Sequence, residues 1–151
     1  MGAFMNEYRF DDIISKEEDK ENYTRAEFTV KVTAEMMRNF LDITGDVNPL
    51  HNDEEFAKGL GFKDRVVYGM LTSSFYSTLA GVYLPGKYCL LHSVESAFRS
   101  PVFIGDTLTV SGFVKQKFES TRTMEIAAQI LNQEGKKVGK AKILAGCLDD
   151  K

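Results

Sequence analysis

The chain has 151 residues, 43% of them apolar and 27% charged, and carries a net charge of −3. That length suits one domain able to bury roughly 70% of its unfolded surface, and the composition is that of an ordinary globular protein. A sequence pI near 5.5 gives no electrostatic case for nucleic acid, no basic amphipathic stretch suits a membrane surface, and no apolar run approaches the ~20 residues that span a bilayer.

Cys89 and Cys147 are the only cysteines, and neither belongs to a CxxC or Cys/His ligand pattern. Both read as small buried hydrophobes in strands. The first residues lack the basic region and long apolar run of a secretory signal. The expectation is a cytoplasmic protein with reduced thiols and no metal site.

In chain order, Phe4, Tyr8 and Phe10 lay a short segment against the core, and the charged run from Ser15 to Asn22 is a solvated loop. From Tyr23 to Val32 the pattern alternates, with Ala26, Phe28, Val30 and Val32 on one face and Arg25, Glu27, Thr29 and Lys31 on the other. Period two marks a half-buried strand. Thr33 caps a helix carrying Met36, Met37, Phe40 and Leu41 at helical spacing, and Gly45 ends it. Asn52 or Asp53 then caps a second short helix that Gly59 and Gly61 close.

Between Arg65 and Lys87 there is no Lys, Arg, Asp or Glu. Residues 69–82 therefore predict a long helix buried on every side, whose small hydroxyl residues return hydrogen bonds to the preceding turn. Pro85-Gly86 makes a turn, and strands follow over residues 88–99, 107–118, 124–130 and 138–148, with Asn132-Gln133-Glu134-Gly135 as a hairpin loop. A sheet curling around the apolar helix buries both at once. The predicted architecture is α+β, an antiparallel sheet wrapped around a long central helix, in a single domain over residues 1–151.

Asp46 and His51 stand out chemically. A carboxylate and an imidazole five residues apart flank Pro49 on what reads as a tight, irregular loop. An acid paired with a base that titrates near neutrality suits proton transfer, although the same spacing also fits an Asx turn beside a surface histidine.

The segment Gly45-Asp46-Val47-Asn48-Pro49-Leu50-His51, the Tyr68-Gly69-Met70 start of the apolar helix, and Ser100-Pro101-Val102-Phe103-Ile104-Gly105-Asp106-Thr107-Leu108 occur in that order. Together they resemble the MaoC-like hydratases and dehydratases, and within them the (R)-specific enoyl-CoA hydratases. The resemblance implies a hot-dog fold and a homodimer whose sheets join. It implies a hydro-lyase that converts trans-2-enoyl-CoA to (R)-3-hydroxyacyl-CoA or runs the reverse dehydration. Its substrate is a coenzyme A or acyl-carrier-protein thioester, and no cofactor is needed. Asp46 would act as base, with His51 activating the water and protonating C2. Gly69 would be the oxyanion donor, because backbone N–H groups at a helix N-terminus are unpaired; the same glycine also fits a plain helix start packed against the sheet. Ser77 matches a serine that orients the site, and Asn48 orients the loop, contacts substrate, or serves only as an Asx turn.

Two further readings use the same residues. One is an acyl-CoA thioesterase in which Asp46 directs water at the thioester carbonyl. The other is a non-catalytic acyl-CoA-binding subunit of the same fold. Tyr68 departs from the histidine usual before Gly-Met in the family pattern, so altered packing or substrate preference is expected. Glu95 and His92 also depart from it, and both read as solvated or hydrogen-bonded strand residues.

Overall fold

Alternation of apolar and polar residues builds the sheet in the computed structural model, which describes residues 4–149. The first three residues of the expected N-terminal segment lie outside that range. Five strands form, β1 (Arg25–Lys31), β2 (Cys89–Phe98), β3 (Thr107–Phe118), β4 (Thr123–Leu131) and β5 (Lys137–Cys147). They pair antiparallel in the order β1-β3-β4-β5-β2. Gly135 closes the β4–β5 hairpin with φ 76°, in the left-handed region that glycine tolerates.

One face of this sheet is the core. Leu108, Val110, Val114, Met124, Ile126 and Ile143 are fully buried on it. Burial on this scale contributes about 1.5–3 kcal/mol for each large side chain. The helix α4 (Gly69–Thr78), prolonged by a π-helical turn over Leu79–Tyr83, lies across that face. Gly112 of β3 permits the close approach, since a Cβ there would stand 3.0 Å from both Leu79 Cδ2 and Ile126 Cγ2. An antiparallel sheet wrapped around one central helix is the hot-dog arrangement, and the α+β expectation holds.

The expectation that α4 is buried all round does not. Leu71, Thr72 and Tyr76 are buried, but Met70 is 65% exposed and Ser74 and Ser77 face solvent. Met70, Ser74 and Ser77 recur at i, i+4 and i+7, so they form one stripe of the helix that the sheet does not cover. The hydroxyls divide accordingly. Thr72 and Ser74 donate to carbonyls of the preceding turn, whereas Ser73 pairs with Ser96 of β2 at 2.7 Å.

The helix α1 (Ala34–Thr44) starts and stops as expected. Thr33 accepts from the Met36 N–H at 3.1 Å, and Gly45 caps the other end at φ 70°. Two local expectations change. The charged run is a kinked 3-10 helix over Glu17–Asn22 rather than a plain loop. Pro49 does not merely break a helix but begins one, α2 (Pro49–Asn52), with Asn48 as its cap. Proline at the first helical position loses only an N–H that has no helical partner. α3 (Glu54–Gly59) follows, capped by Asp53 at Phe56 N. No helix among the described residues is long and apolar enough to cross a membrane.

The two ends of the described chain meet at Asp149. Its carboxylate accepts the Phe10 N–H at 2.8 Å and Arg122 Nη2 at 2.9 Å. Burial raises this carboxyl, but hydrogen bonds from Arg122, Phe10 and Cys147 outweigh that and hold it at about 2, against an ordinary 3.8. A depressed folded-state pKa contributes stability that is complete above the unfolded value and is lost as pH falls through the folded one. The interaction is expected to contribute about 2 kcal/mol above pH ~4 and to be lost as pH falls through ~2. Urea unfolding of the parent and of Asp149→Asn across that range checks this. A stability gap that stays constant with pH would refute it.

Candidate active site

The site is assembled from three short segments, each held mainly by backbone groups. In the first, Asp46 N donates to Thr44 Oγ1 at 3.2 Å, Asn48 N donates to Asp46 Oδ1 at 3.1 Å, and Leu50 N donates to Asn48 Oδ1 at 2.9 Å. These Asx-type bonds turn the chain from α1 into α2 and occupy one oxygen of the Asp46 carboxylate. The other oxygen, Oδ2, has no partner among the described residues.

His51 sits on α2 with Nδ1 2.6 Å from the Val66 carbonyl oxygen. A carbonyl only accepts, so in the neutral ring Nδ1 carries the hydrogen and Nε2 is left as an acceptor. Val66 is itself anchored. Its N–H donates to Leu50 O at 3.1 Å, it bridges Phe103 as an isolated β-pair, and Val67 N donates to Val102 O at 2.8 Å. The third motif is therefore a support for the first. Asp106 there is buried and accepts from Phe103 N at 2.9 Å and Gln133 Nε2 at 3.1 Å.

The second segment is the start of α4. Among the described residues, no acceptor meets the Gly69 N–H, as expected for the first turn of a helix. A Cβ on residue 69 would stand 2.9 Å from Phe98 Cε1, so glycine is what lets that ring lie against the helix end.

Asp46, His51 and Gly69 share one cavity of about 480 Å³, with Tyr68, Phe98 and Val102 among its walls. Of the residues read from the sequence, the structure brings these three together. Asn48 holds the loop from beneath and does not line the cavity. Ser77 stands eight residues along α4, roughly 12 Å at 1.5 Å per residue, exposed and outside the cavity of the single chain. A larger cavity of about 710 Å³ lies elsewhere on the sheet beside Arg25, Glu27, Gln129, Lys137 and Lys140. It holds neither the Asp46 carboxylate and His51 imidazole nor a free helix terminus, so the smaller cavity is the candidate site.

Glu95 lies opposite Lys142 on the far face of β2, in a groove with Ser93 and Glu125, and does not enter the site. His92 occupies the bulge between Leu91 and Ser93 with its ring against Gly146. Cys147 is buried and Cys89 half-buried, and burial pushes both thiols up to about 11. Among the described residues no three His, Cys, Asp or Glu side chains are grouped to hold a metal ion.

Three partners of the site escaped the sequence reading. The Val66 carbonyl could not be found there, because any residue type supplies one. Asn52 donates to Asp46 O, Asn48 O and the Tyr68 hydroxyl. Tyr68 donates from its hydroxyl to Asp46 O at 2.7 Å, a contact that the residue type alone did not show.

The family model described as "MaoC like domain" matches residues 15–135 of the chain. The chain belongs to the MaoC-like family. This MaoC-like chain is 32% identical over 111 residues to the (R)-specific enoyl-CoA hydratase of Aeromonas caviae, covering 74% of this chain and 83% of that protein. It is 38% identical over 76 residues to a mitochondrial 3-hydroxyacyl-[acyl-carrier-protein] dehydratase of Arabidopsis thaliana, covering 50% and 45%. Among solved structures, the unliganded R-hydratase PhaJ1 of Pseudomonas aeruginosa superposes with a TM-score of 0.85 at 25% identity, over 97% of this chain and 89% of that one.

In this MaoC-like site the His51 tautomer is a direct consequence of the Val66 contact. Nitrogen-15 NMR of the neutral imidazole is expected to find the hydrogen on Nδ1. A hydrogen on Nε2 would show that the ring is not oriented by Val66 and would remove the acceptor from the cavity.

Proposed function

We propose that this chain, folded as one MaoC-like domain, is a hydro-lyase that adds water to a trans-2-enoyl-CoA to give the (R)-3-hydroxyacyl-CoA, or removes it. The observation that carries this reading is the shared cavity, in which an open carboxylate oxygen, an imidazole acceptor and an unpaired helix-terminal N–H converge. The names of the relatives support the reaction and its stereochemistry.

The chemistry follows from those groups. Asp46 Oδ2 and His51 Nε2 are both acceptors, so together they hold a water by its hydrogens and leave an oxygen lone pair aimed at C3 of the bound thioester. As the O–C3 bond forms, the C2=C3 electron pair moves toward the thioester carbonyl, whose developing negative charge the Gly69 N–H accepts. Asp46 is the base for the water proton. His51 helps activate the water; the proton that Asp46 has taken passes to His51 Nε2, which delivers it to C2 of the enolate, so that hydroxyl and hydrogen add to the same face. The pair shares the proton lost and returned, and no net proton is consumed. The reaction needs no electron transfer, and we assign no metal or redox cofactor to it. A histidine beside the carboxylate has a task in this reaction and none in hydrolysis of the thioester.

The substrate is proposed to be the coenzyme A thioester, with acyl-carrier-protein thioesters presenting the same reactive arm. The cytoplasm is proposed as its compartment, where the free thiols Cys89 and Cys147 stay reduced.

The active assembly is proposed to be a homodimer. β2 is an edge strand that exposes Leu90, Leu91, Val94 and Phe98 beside the open flank of α4. A second copy joining there would cover both and bring Ser77 under a partner surface.

With crotonyl-CoA, loss of the enoyl-thioester absorbance without release of free thiol, yielding the (R)-product, is the expected result. Release of thiol would mean a thioesterase instead. Asp46→Asn and His51→Ala are each expected to lower kcat by about 10²–10⁴-fold with the fold intact, and near-parental activity in either would sink the assignment. Separately, equilibrium sedimentation should give twice the 17.0 kDa chain mass. Leu91→Lys combined with Val94→Lys should give the monomer, whereas a mass unchanged by the pair would move the interface elsewhere.

A further inference from the structure

We propose that Tyr68 is a positioning residue whose hydroxyl ties the Asp46 main chain to the start of α4, so that one side chain sets the spacing between the acid–base pair and the Gly69 N–H. This rests on the hydratase reading above.

The loop that carries Asp46 has little packing of its own. Residues 45–49 are all exposed, so their position depends on hydrogen bonds. Tyr68 is the opposite case, with 1% of its surface exposed. Its hydroxyl donates to the Asp46 carbonyl oxygen at 2.7 Å and accepts from Asn52 Nδ2 at 3.0 Å. Its ring lies against His51 at 4.3 Å and Phe40 at 4.8 Å between centroids. The far end of the same residue is the N-cap of α4, where its carbonyl accepts from Leu71 N at 3.1 Å and Thr72 N at 3.2 Å. The next peptide carries the Gly69 N–H. Tyr68 therefore touches the acid's main chain, packs on the base, and is bonded to the oxyanion donor.

Rigid phenol geometry is what makes this a spacer. Only the torsions about Cα–Cβ and Cβ–Cγ separate the hydroxyl from the helix cap, and burial fixes both. Asn52 completes the clamp from the loop side, since Nδ2 reaches Asp46 O at 3.1 Å and Asn48 O at 2.9 Å as well.

Tyr68→Phe tests this, because it keeps the buried ring and removes only the hydroxyl. In the full chain, amide hydrogen exchange at Asn48 and His51 should become faster while the core strands keep their protection. With crotonyl-CoA, kcat should fall by about 10- to 100-fold, the scale of a small misplacement of reacting groups. KM should stay within about threefold, since no substrate contact is lost. Asn52→Ala should lower kcat too, and the double variant should fall short of the product of the single effects, because both act through the Asp46 carbonyl.

Unchanged exchange in the loop would overturn the proposal whatever the kinetics. Faster exchange with an unchanged kcat would overturn it as well, leaving the hydroxyl a purely structural contact. A parent chain that turns over no enoyl thioester, with the loop still loosened by Tyr68→Phe, would defeat the hydratase reading and leave Tyr68 no reaction to position. A fall in kcat that merely tracks a lower melting temperature, and disappears when both proteins are assayed well below their transitions, would count equally against it.

Discussion

Burial of α4 under the concave face of the sheet is the constraint on which the rest depends. The helix has no charged residue, so it needs cover, and the sheet has an apolar face that needs the same. Gly112 brings the two together at Leu79 and Ile126. Once the helix is pinned there, its first turn can end at only one place relative to the strands. That end carries the Gly69 N–H, and the segment just before it carries the Val66 carbonyl that orients His51.

Two kinds of fixing meet at the site. The Gly69 N–H belongs to a helix whose inner face is fixed by the core. Asp46 lies instead on an exposed loop held by side chain–backbone bonds. Such a loop leaves the carboxylate accessible, and the cost is that its geometry depends on a few hydrogen bonds. The turn over residues 101–106 supports the segment that orients His51. Phe103 and Val102 pair with Val66 and Val67, and Asp106 secures Phe103 from within. The exposed stripe of α4 and the edge strand β2 also leave apolar side chains, Met70, Leu90, Leu91, Val94 and Phe98, at the surface.

Much of this was legible in the residues themselves. Period-two alternation placed the inner faces of β1, β3 and β4, because a half-buried strand must segregate its side chains. Thr33 and Gly45 marked both ends of α1 through local chemistry that needs no tertiary contact, and the absence of charge between Arg65 and Lys87 marked α4 as the central element. The spacing of Asp46, Asn48, Pro49 and His51 marked the loop that brings carboxylate and imidazole to one cavity, since Asx turns and a proline at a helix start act within a few residues.

The tertiary structure decided what depends on atoms far apart in the chain. Residue type could not show that Val66 would supply the acceptor for His51, because every residue has a carbonyl. Nor could it show that the Tyr68 hydroxyl would reach Asp46 across 22 residues of sequence. Which stripe of α4 stays open was decided by how the helix docks on the sheet, and a helix without charge does not encode that by itself. Ser77 is the clearest case, since its position on α4 is set by sequence, but the side it faces is set by that docking. Local patterning determined the elements and the reactive residue types; the distances among them came from packing, which is the property of the whole chain.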